Sequence, residues 1–175
     1  MSSTPRVAVI GGGIIGVSTA RHLARRGARV TLVTEGELAS NASGRSLSWL
    51  NSAGTRSPDY HRLRLVGIDR YRTLAAQHRD LHWLRFDGGL TWQPEGHGEA
   101  LREAHNHEVR VGYDSVLLTP DEVADRVPGV DPDAIPAEGA VLNPGEGWVG
   151  RTTCPMKSSR SCWPKRPRCW RGMRP

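Results

Sequence analysis

Gly11, Gly13 and Gly16 stand in the spacing G-x-G-x-x-G, and here the residue types first point to chemistry. That chemistry is the capture of a pyrophosphate by main-chain groups. Gly11 permits a tight turn. Gly13 has no side chain, so a pyrophosphate can approach the backbone. Gly16 lets a helix pack close to a sheet. A helix opening at this point offers unpaired N–H groups and the positive end of its dipole to the phosphates. Glu35 follows Gly11 at close to the ~20-residue spacing of the acid that accepts from ribose hydroxyls. Thr34 falls, by strand register, where that acid often sits. Two alternatives are therefore open: Glu35 on the ribose, or Glu35 solvated in the turn with Thr34 making the contact.

No competing chemistry is legible. The chain has no Ser/His/Asp set, no H-E-x-x-H and no carboxylate pair in a recognisable pattern. His105 and His107 are two apart, so on a helix they point to different faces and read as surface histidines rather than metal ligands. Cys154, Cys162 and Cys169 are the three cysteines, and they lack C-x-x-C spacing. The first 150 residues hold no cysteine, which excludes a disulfide framework or a thiolate metal site there.

The elements around the glycines suit them. Arg6-Val-Ala-Val-Ile10 is β-branched and apolar and reads as a buried parallel strand. A helix pattern runs through Val17, Ala20, Leu23 and Ala24, with Arg21, Arg25 and Arg26 on the other side, and Gly27 stops it. Arg29-Val-Thr-Leu-Val33 is a second strand. The short βα loops of a nicotinamide-type domain do not follow. Residues 34–57 form a long stretch rich in Gly, Ser and Asn, with Ala39-Ser-Asn-Ala-Ser-Gly-Arg-Ser46 at its core.

Further along, Ser57-Pro-Asp-Tyr60 reads as a helix start. Tyr60, Leu63, Gly67, Tyr71 and Leu74 are expected to pack on a core, with the arginines between them as a solvated face. Trp83-Leu-Arg-Phe86 and Leu90-Thr-Trp92, on either side of Asp87-Gly-Gly89, read as a hairpin. Residues 98–109 read as a helix. Thr119, Pro120 and Glu122 form a capping box ahead of a helix that closes at Val127. Glu138-Gly-Ala-Val-Leu142 reads as a strand.

Gly11 to Gly16, the acid-bearing strand end, Ala42-Ser-Gly44 and Ser48-Trp-Leu-Asn-Ser-Ala-Gly54 together resemble the FAD-dependent D-amino acid oxidase/glycine oxidase (DAO) superfamily. So do the Thr119–Glu122 helix with its Pro-Gly stop and the segment Asn143-Pro-Gly-Glu-Gly-Trp-Val149. The resemblance covers residues 5–149, the N-terminal part of a family member. It implies an α/β fold with a Rossmann-like FAD/NAD(P)-binding domain and FAD bound in extended form. Its implied contacts are Ile15, Glu35, Ala42, Ser43, Arg45 and Ser46 beside the glycines. It also implies a flavoprotein oxidoreductase whose substrate is a small-molecule amine or amino acid, oxidised at a C–N bond by hydride transfer to flavin. The family's substrate-binding residues lie further downstream, so no catalytic residue is named here. An inactive FAD-binding fragment is the alternative.

The 175 residues carry 24 Lys+Arg against 18 Asp+Glu, a net +6 with a pI near 9.9. That balance suggests nucleic acid until it is divided. Eight of the basic residues, and no acid, lie in 151–175; residues 1–150 keep 16 basic residues and all 18 acids, a net −2. The tail over-uses Arg, Pro, Trp and Cys and has no apolar period. Back-translated with GC-rich codons and shifted by two bases, its residues 153–168 permit an acidic amphipathic helix. The expectation is a shift of reading frame near Gly150. Residues 1–150 then form the FAD-binding portion, with an aberrant, disordered basic tail at 151–175. No nucleic-acid partner, signal peptide or membrane span is expected, and the cytoplasm is the expected compartment.

Overall fold

β-Branched and apolar residues dominate the first strand pair, and the chain there runs extended: β1 spans Arg6–Ile10 and β2 spans Arg29–Thr34. The computed structural model describes residues 4–77 and 82–150, and the backbone of 168–171. β1 and β2 pair in parallel, with Arg6 opposite Arg29 and Ile10 opposite Val33. A parallel pair needs a crossover, and α1 (Ile14–Arg25) supplies it. Val17 and Ala20 of α1 close on Leu32, with Val9, Val30 and Leu38 around them. Gly27 stops the helix at φ +89. Its N–H donates to Ala24 O (3.0 Å) and that of Ala28 to Leu23 O (3.1 Å), the paired bonds of a Schellman stop. The one-turn helix α2 (Ala42–Arg45) follows.

The sequence reads β1 as fully buried, but within this unit α1 covers one face alone. Val7 and Val9 are half-buried, whereas Ala8 is exposed and Ile10 is 86% exposed.

The chain divides into two compact units, Met1–Leu47 with Arg151–Pro175, and Ser48–Gly150. The second contains β3 (Trp49–Leu50), α3 (Pro58–Gln77), β4 (Leu84–Arg85), β5 (Gly89–Thr91) and α4 (Gly98–Arg110). It continues with β6 (Val116–Leu118), α5 (Pro120–Arg126), a 3-10 turn at Pro132–Ala134, β7 (Ala140–Asn143) and β8 (Gly147–Val149). Two antiparallel sheets result, in the orders β3-β8-β4 and β5-β7-β6. Leu118, Val123, Ile135, Ala140 and Leu142 form its core. The predicted capping box is present: Thr119 accepts from the Glu122 amide, and Glu122 accepts from that of Thr119 (2.8 Å).

Two sequence expectations are corrected in this unit. The hairpin at 83–92 does not form. β4 pairs with β8 and β5 with β7, so the chain changes sheets at Asp87-Gly88, where Gly88 takes φ +92. The face assigned to α3 holds only in part: Tyr71 and Leu74 are half-buried as expected, but the first half of the helix is rotated. Ile68 is buried, but Tyr60, Leu63 and Gly67 are exposed. The reason lies in the arginines, which are not all solvated. Arg64 donates to Asn51 O (2.7 Å) and to Asn51 Oδ1, and Arg72 donates to Gly145 O. Polar anchoring, invisible to an apolar period, sets the helix rotation.

Residues Arg168–Arg171 form β9, parallel to β2, with Thr31 opposite Arg168 and Thr34 opposite Arg171. The sequence places no element there. A free strand edge carries a row of unpaired N–H and C=O groups, and β9 satisfies those of β2. The expected disorder and basic character of the remaining tail lie outside the described residues.

Candidate functional site

The glycine-rich turn joins the end of β1 to the start of α1. Gly11 sits at φ +114, and its N–H donates to Val33 O (2.8 Å), which holds the turn against β2. Gly13 is the N-cap of α1, in extended conformation, and its carbonyl accepts from Val17 N–H (3.0 Å). Gly13 offers this helix no side-chain cap of its own, and its first turn has no acid. The amides of its first turn therefore have no intrahelical carbonyl to bond. One of them, Ile14 N–H, donates to Ser43 Oγ at 2.9 Å.

Steric room explains the glycines. A Cβ on Gly16 would overlap the Gly11 carbonyl oxygen, so the helix start sits directly on the strand end. A Cβ on Gly13 would come within 3.2 Å of Ser43 Oγ and fill the space in front of the helix. Gly12 is equally constrained: a Cβ there would lie 2.5 Å from Thr34 Oγ1 and 3.2 Å from Leu38. The motif treats that position as free, and sequence reasoning missed it.

Thr34 ends β2, is buried, and its hydroxyl donates to Gly36 O (3.1 Å). Glu35 follows it and is exposed. The loop then returns to the turn. Ala39 N–H donates to Gly12 O (2.9 Å), and a Cβ on Gly44 would overlap Ala39 O. Gly11, Gly13, Ile15, Gly16, Thr34 and Ser43 thus meet around one turn. Ala42, Arg45 and Ser46 lie on an exposed stretch beside Ser43.

A second set of polar side chains went unread. It lies within Ser48–Gly150 and is buried. Tyr113 Oη donates to Glu146 Oε1 (2.6 Å) and accepts from Ser52 N–H (2.9 Å). Glu146 Oε1 also accepts from the amides of Ser52 and Ala53, both at 3.3 Å. Glu108 accepts from Gly54 N–H (2.9 Å) and from Asn143 Nδ2 (2.8 Å). Ser52 Oγ lies 2.9 Å from His61 Nδ1. Burial pushes the Glu146 carboxyl above its ordinary value despite these bonds. Burial, and then the Glu146 carboxyl beside it, push the Tyr113 phenol upward too. Single acids in a sequence carry no signal of burial, so nothing could have flagged them. Among the described residues, no cluster of His, Cys, Asp and Glu could hold a metal, and no helix is long and apolar enough to cross a membrane.

A parallel β-α-β unit with a glycine turn at a helix start that lacks a cap of its own defines a dinucleotide-binding unit of the Rossmann type. The chain belongs to the DAO family of FAD dependent oxidoreductases, whose family model matches residues 6–152. A glycine oxidase of Pseudomonas aeruginosa is 53% identical over 55 residues, 31% of this chain and 14% of that protein. An anaerobic glycerol-3-phosphate dehydrogenase subunit A1 of Haloferax volcanii is 48% identical over 54 residues, 31% of this chain and 9% of that protein. The crystal structure of glycine oxidase from Geobacillus kaustophilus superimposes with a TM-score of 0.70 at 26% identity, covering 85% of this chain and 42% of that one. The chain therefore spans about two fifths of the length of that solved relative.

Proposed function

We propose that this chain binds FAD at the glycine-rich turn, and that the activity it serves is oxidation of an amine or amino acid at a C–N bond. The observation that carries the reading is the start of α1, with no cap of its own, against Ser43, inside a chain of the DAO family. The turn fits a pyrophosphate: the space before the helix is one that a Cβ at Gly13 would narrow, and no acid of the first turn repels phosphate. When bound, FAD supplies the acceptor for a hydride. Gly11, Gly13, Ile15 and Gly16 would present main-chain groups to the phosphates. Ser43 would exchange its bond from Ile14 N–H for a phosphate oxygen. Glu35 or Thr34 would hold the ribose, and Ala42, Arg45 and Ser46 would border the remainder of the cofactor.

The C–N substrate class is supported by likeness to the Geobacillus glycine oxidase over most of the chain. The short curated matches do not decide it, since the Haloferax relative named for glycerol-3-phosphate matches over a similar length nearly as well. A second reading is favoured by the share of the solved relative that is spanned: the 175 residues bind flavin without turning substrate over.

Titrating the purified chain with FAD, followed by quenching of flavin fluorescence and by its visible absorbance, tests the first step. Saturable quenching by FAD, with labelled NAD failing to bind, is expected; binding of NAD alone would overturn the assignment. Bleaching of the bound flavin by amines or amino acids under anaerobic conditions separates the two readings. Persistent yellow colour with every substrate supports the inactive one.

A further inference from the structure

The loop after β2 carries a strained residue that the glycine motif does not explain, and it lies wholly within Met1–Leu47. Ala39 adopts φ +60, in the left-handed region that favours glycine. Asn and Asp tolerate that region, and β-branched residues are the least suited to it. Such a conformation persists only where its surroundings hold it, and those of Ala39 are specific. Before it, Leu38 packs beside Val17, Ala20 and Leu32. The Ala39 N–H donates to Gly12 O (2.9 Å), inside the glycine-rich turn. After it the chain folds back, so that a Cβ on Gly44 would overlap the Ala39 carbonyl oxygen.

Both neighbours of Ala39 belong to the proposed cofactor site. Gly12 lies between Gly11 and Gly13, and a Cβ there would meet Thr34 and Leu38, so the middle of the turn is pressed against this loop. Gly44 follows Ser43, whose Oγ accepts from Ile14 N–H at 2.9 Å. α2 is a single turn, Ala42–Arg45, too short to be stable by itself. Its placement therefore comes from the docking at Gly12 and Gly44. An extended residue at position 39 would carry the chain away from the helix start instead of returning it.

We infer that Ala39 is a positioning residue: its left-handed conformation docks residues 39–44 on the glycine-rich turn and sets Ser43 before α1, so FAD affinity depends on the backbone at position 39 and not on its methyl group. The inference rests on the flavin-binding reading above.

The experiment uses the full 175-residue chain, with amide hydrogen exchange and FAD fluorescence titration read in parallel. Ala39→Val should speed exchange at position 39 and at Ile14 at least about tenfold and weaken FAD binding by about tenfold, while Leu32 in β2 stays protected. Ala39→Gly and Ala39→Asn both accept the left-handed conformation, with a smaller and a larger side chain than alanine. Both should keep the affinity within about threefold. Equal losses in Ala39→Asn and Ala39→Val would assign the effect to size and overturn the inference, and so would an unchanged FAD affinity in Ala39→Val. If Ala39→Val does not fold, the wild-type chain decides. Its Ala39 and Ile14 amides should be protected before FAD is added, and exchange there at the rate of an unstructured peptide would overturn the docking. Failure of the wild-type chain to bind FAD, with those amides protected, would instead overturn the flavin reading and leave the docking of the loop standing.

Discussion

A methyl group on Gly16 would occupy the position of the Gly11 carbonyl oxygen. The strand end cannot withdraw, because Gly11 N–H is tied to Val33 O and β1 is paired along its length with β2. Gly16→Ala should therefore push α1 off the turn and weaken FAD binding by at least about tenfold, measured by fluorescence titration. The ribose contact can be resolved in the same assay. Thr34 Oγ1 is buried and already donates to Gly36 O, whereas the Glu35 carboxylate stands exposed beside it. Glu35→Gln should weaken FAD by about tenfold and Thr34→Val by much less, since loss of a charge-assisted bond is the larger effect. A larger effect from Thr34→Val would reverse the assignment. At this scale the glycines were legible because each has a backbone reason tied to a fixed spacing. Gly12 was not, because its constraint comes from Thr34 and Leu38, which the fold brings to it. Glu146 and Glu108 were not, because burial is a property of the packed chain.

Elements were legible where their signals are local. α1 ends at Gly27 and α5 starts at Thr119 because a stop and a capping box are written in adjacent residues. α3 and the β4–β5 region were misread because their partners lie far along the chain: Asn51 and Gly145 for the arginines of α3, and β8 and β7 for the strands. The capping box yields a prediction with a direction in pH. Bonds from the Thr119 amide and hydroxyl hold the Glu122 carboxyl below its ordinary value. Its folded-state pKa lies under its unfolded one, so its contribution is present above the unfolded value and lost as pH falls through the folded value. Burial raises Glu146, which has the opposite sign: its contribution is whole below the unfolded value and is lost as pH rises through the folded value. Thr119→Ala should lower stability by about 1 kcal/mol in urea unfolding and reduce the Glu122 part of the acid-side slope without abolishing it, since the amide of residue 119 still donates to Glu122. Glu146→Gln should flatten the loss of stability as pH rises. An unchanged profile in both variants would refute these linkages.

The largest scale returns to the division of charge. The family match ends at residue 152, where the composition turns basic and acid-free. Two independent signals thus coincide, which supports the proposal of a shifted reading frame near Gly150; sequencing the source DNA and reading the alternative frame tests it. The fold adds a complication, since Arg168–Arg171 from that same tail pairs with β2. Edge pairing of this kind is dominated by main-chain bonds and can be met by many sequences, so β9 need not carry family information. Truncation after Gly150 separates the two roles. None of the proposed FAD contacts lies in 151–175, so flavin affinity should change less than about threefold. The isoelectric point should fall from about 9.9 to below neutrality, because the remaining 16 basic and 18 acidic residues sum to −2. The exposed edge of β2 should at the same time promote self-association, seen as concentration-dependent elution on a sizing column. Loss of FAD binding on truncation, with the protein still monomeric and folded by circular dichroism, would make β9 part of the binding unit and argue against a tail foreign to the fold.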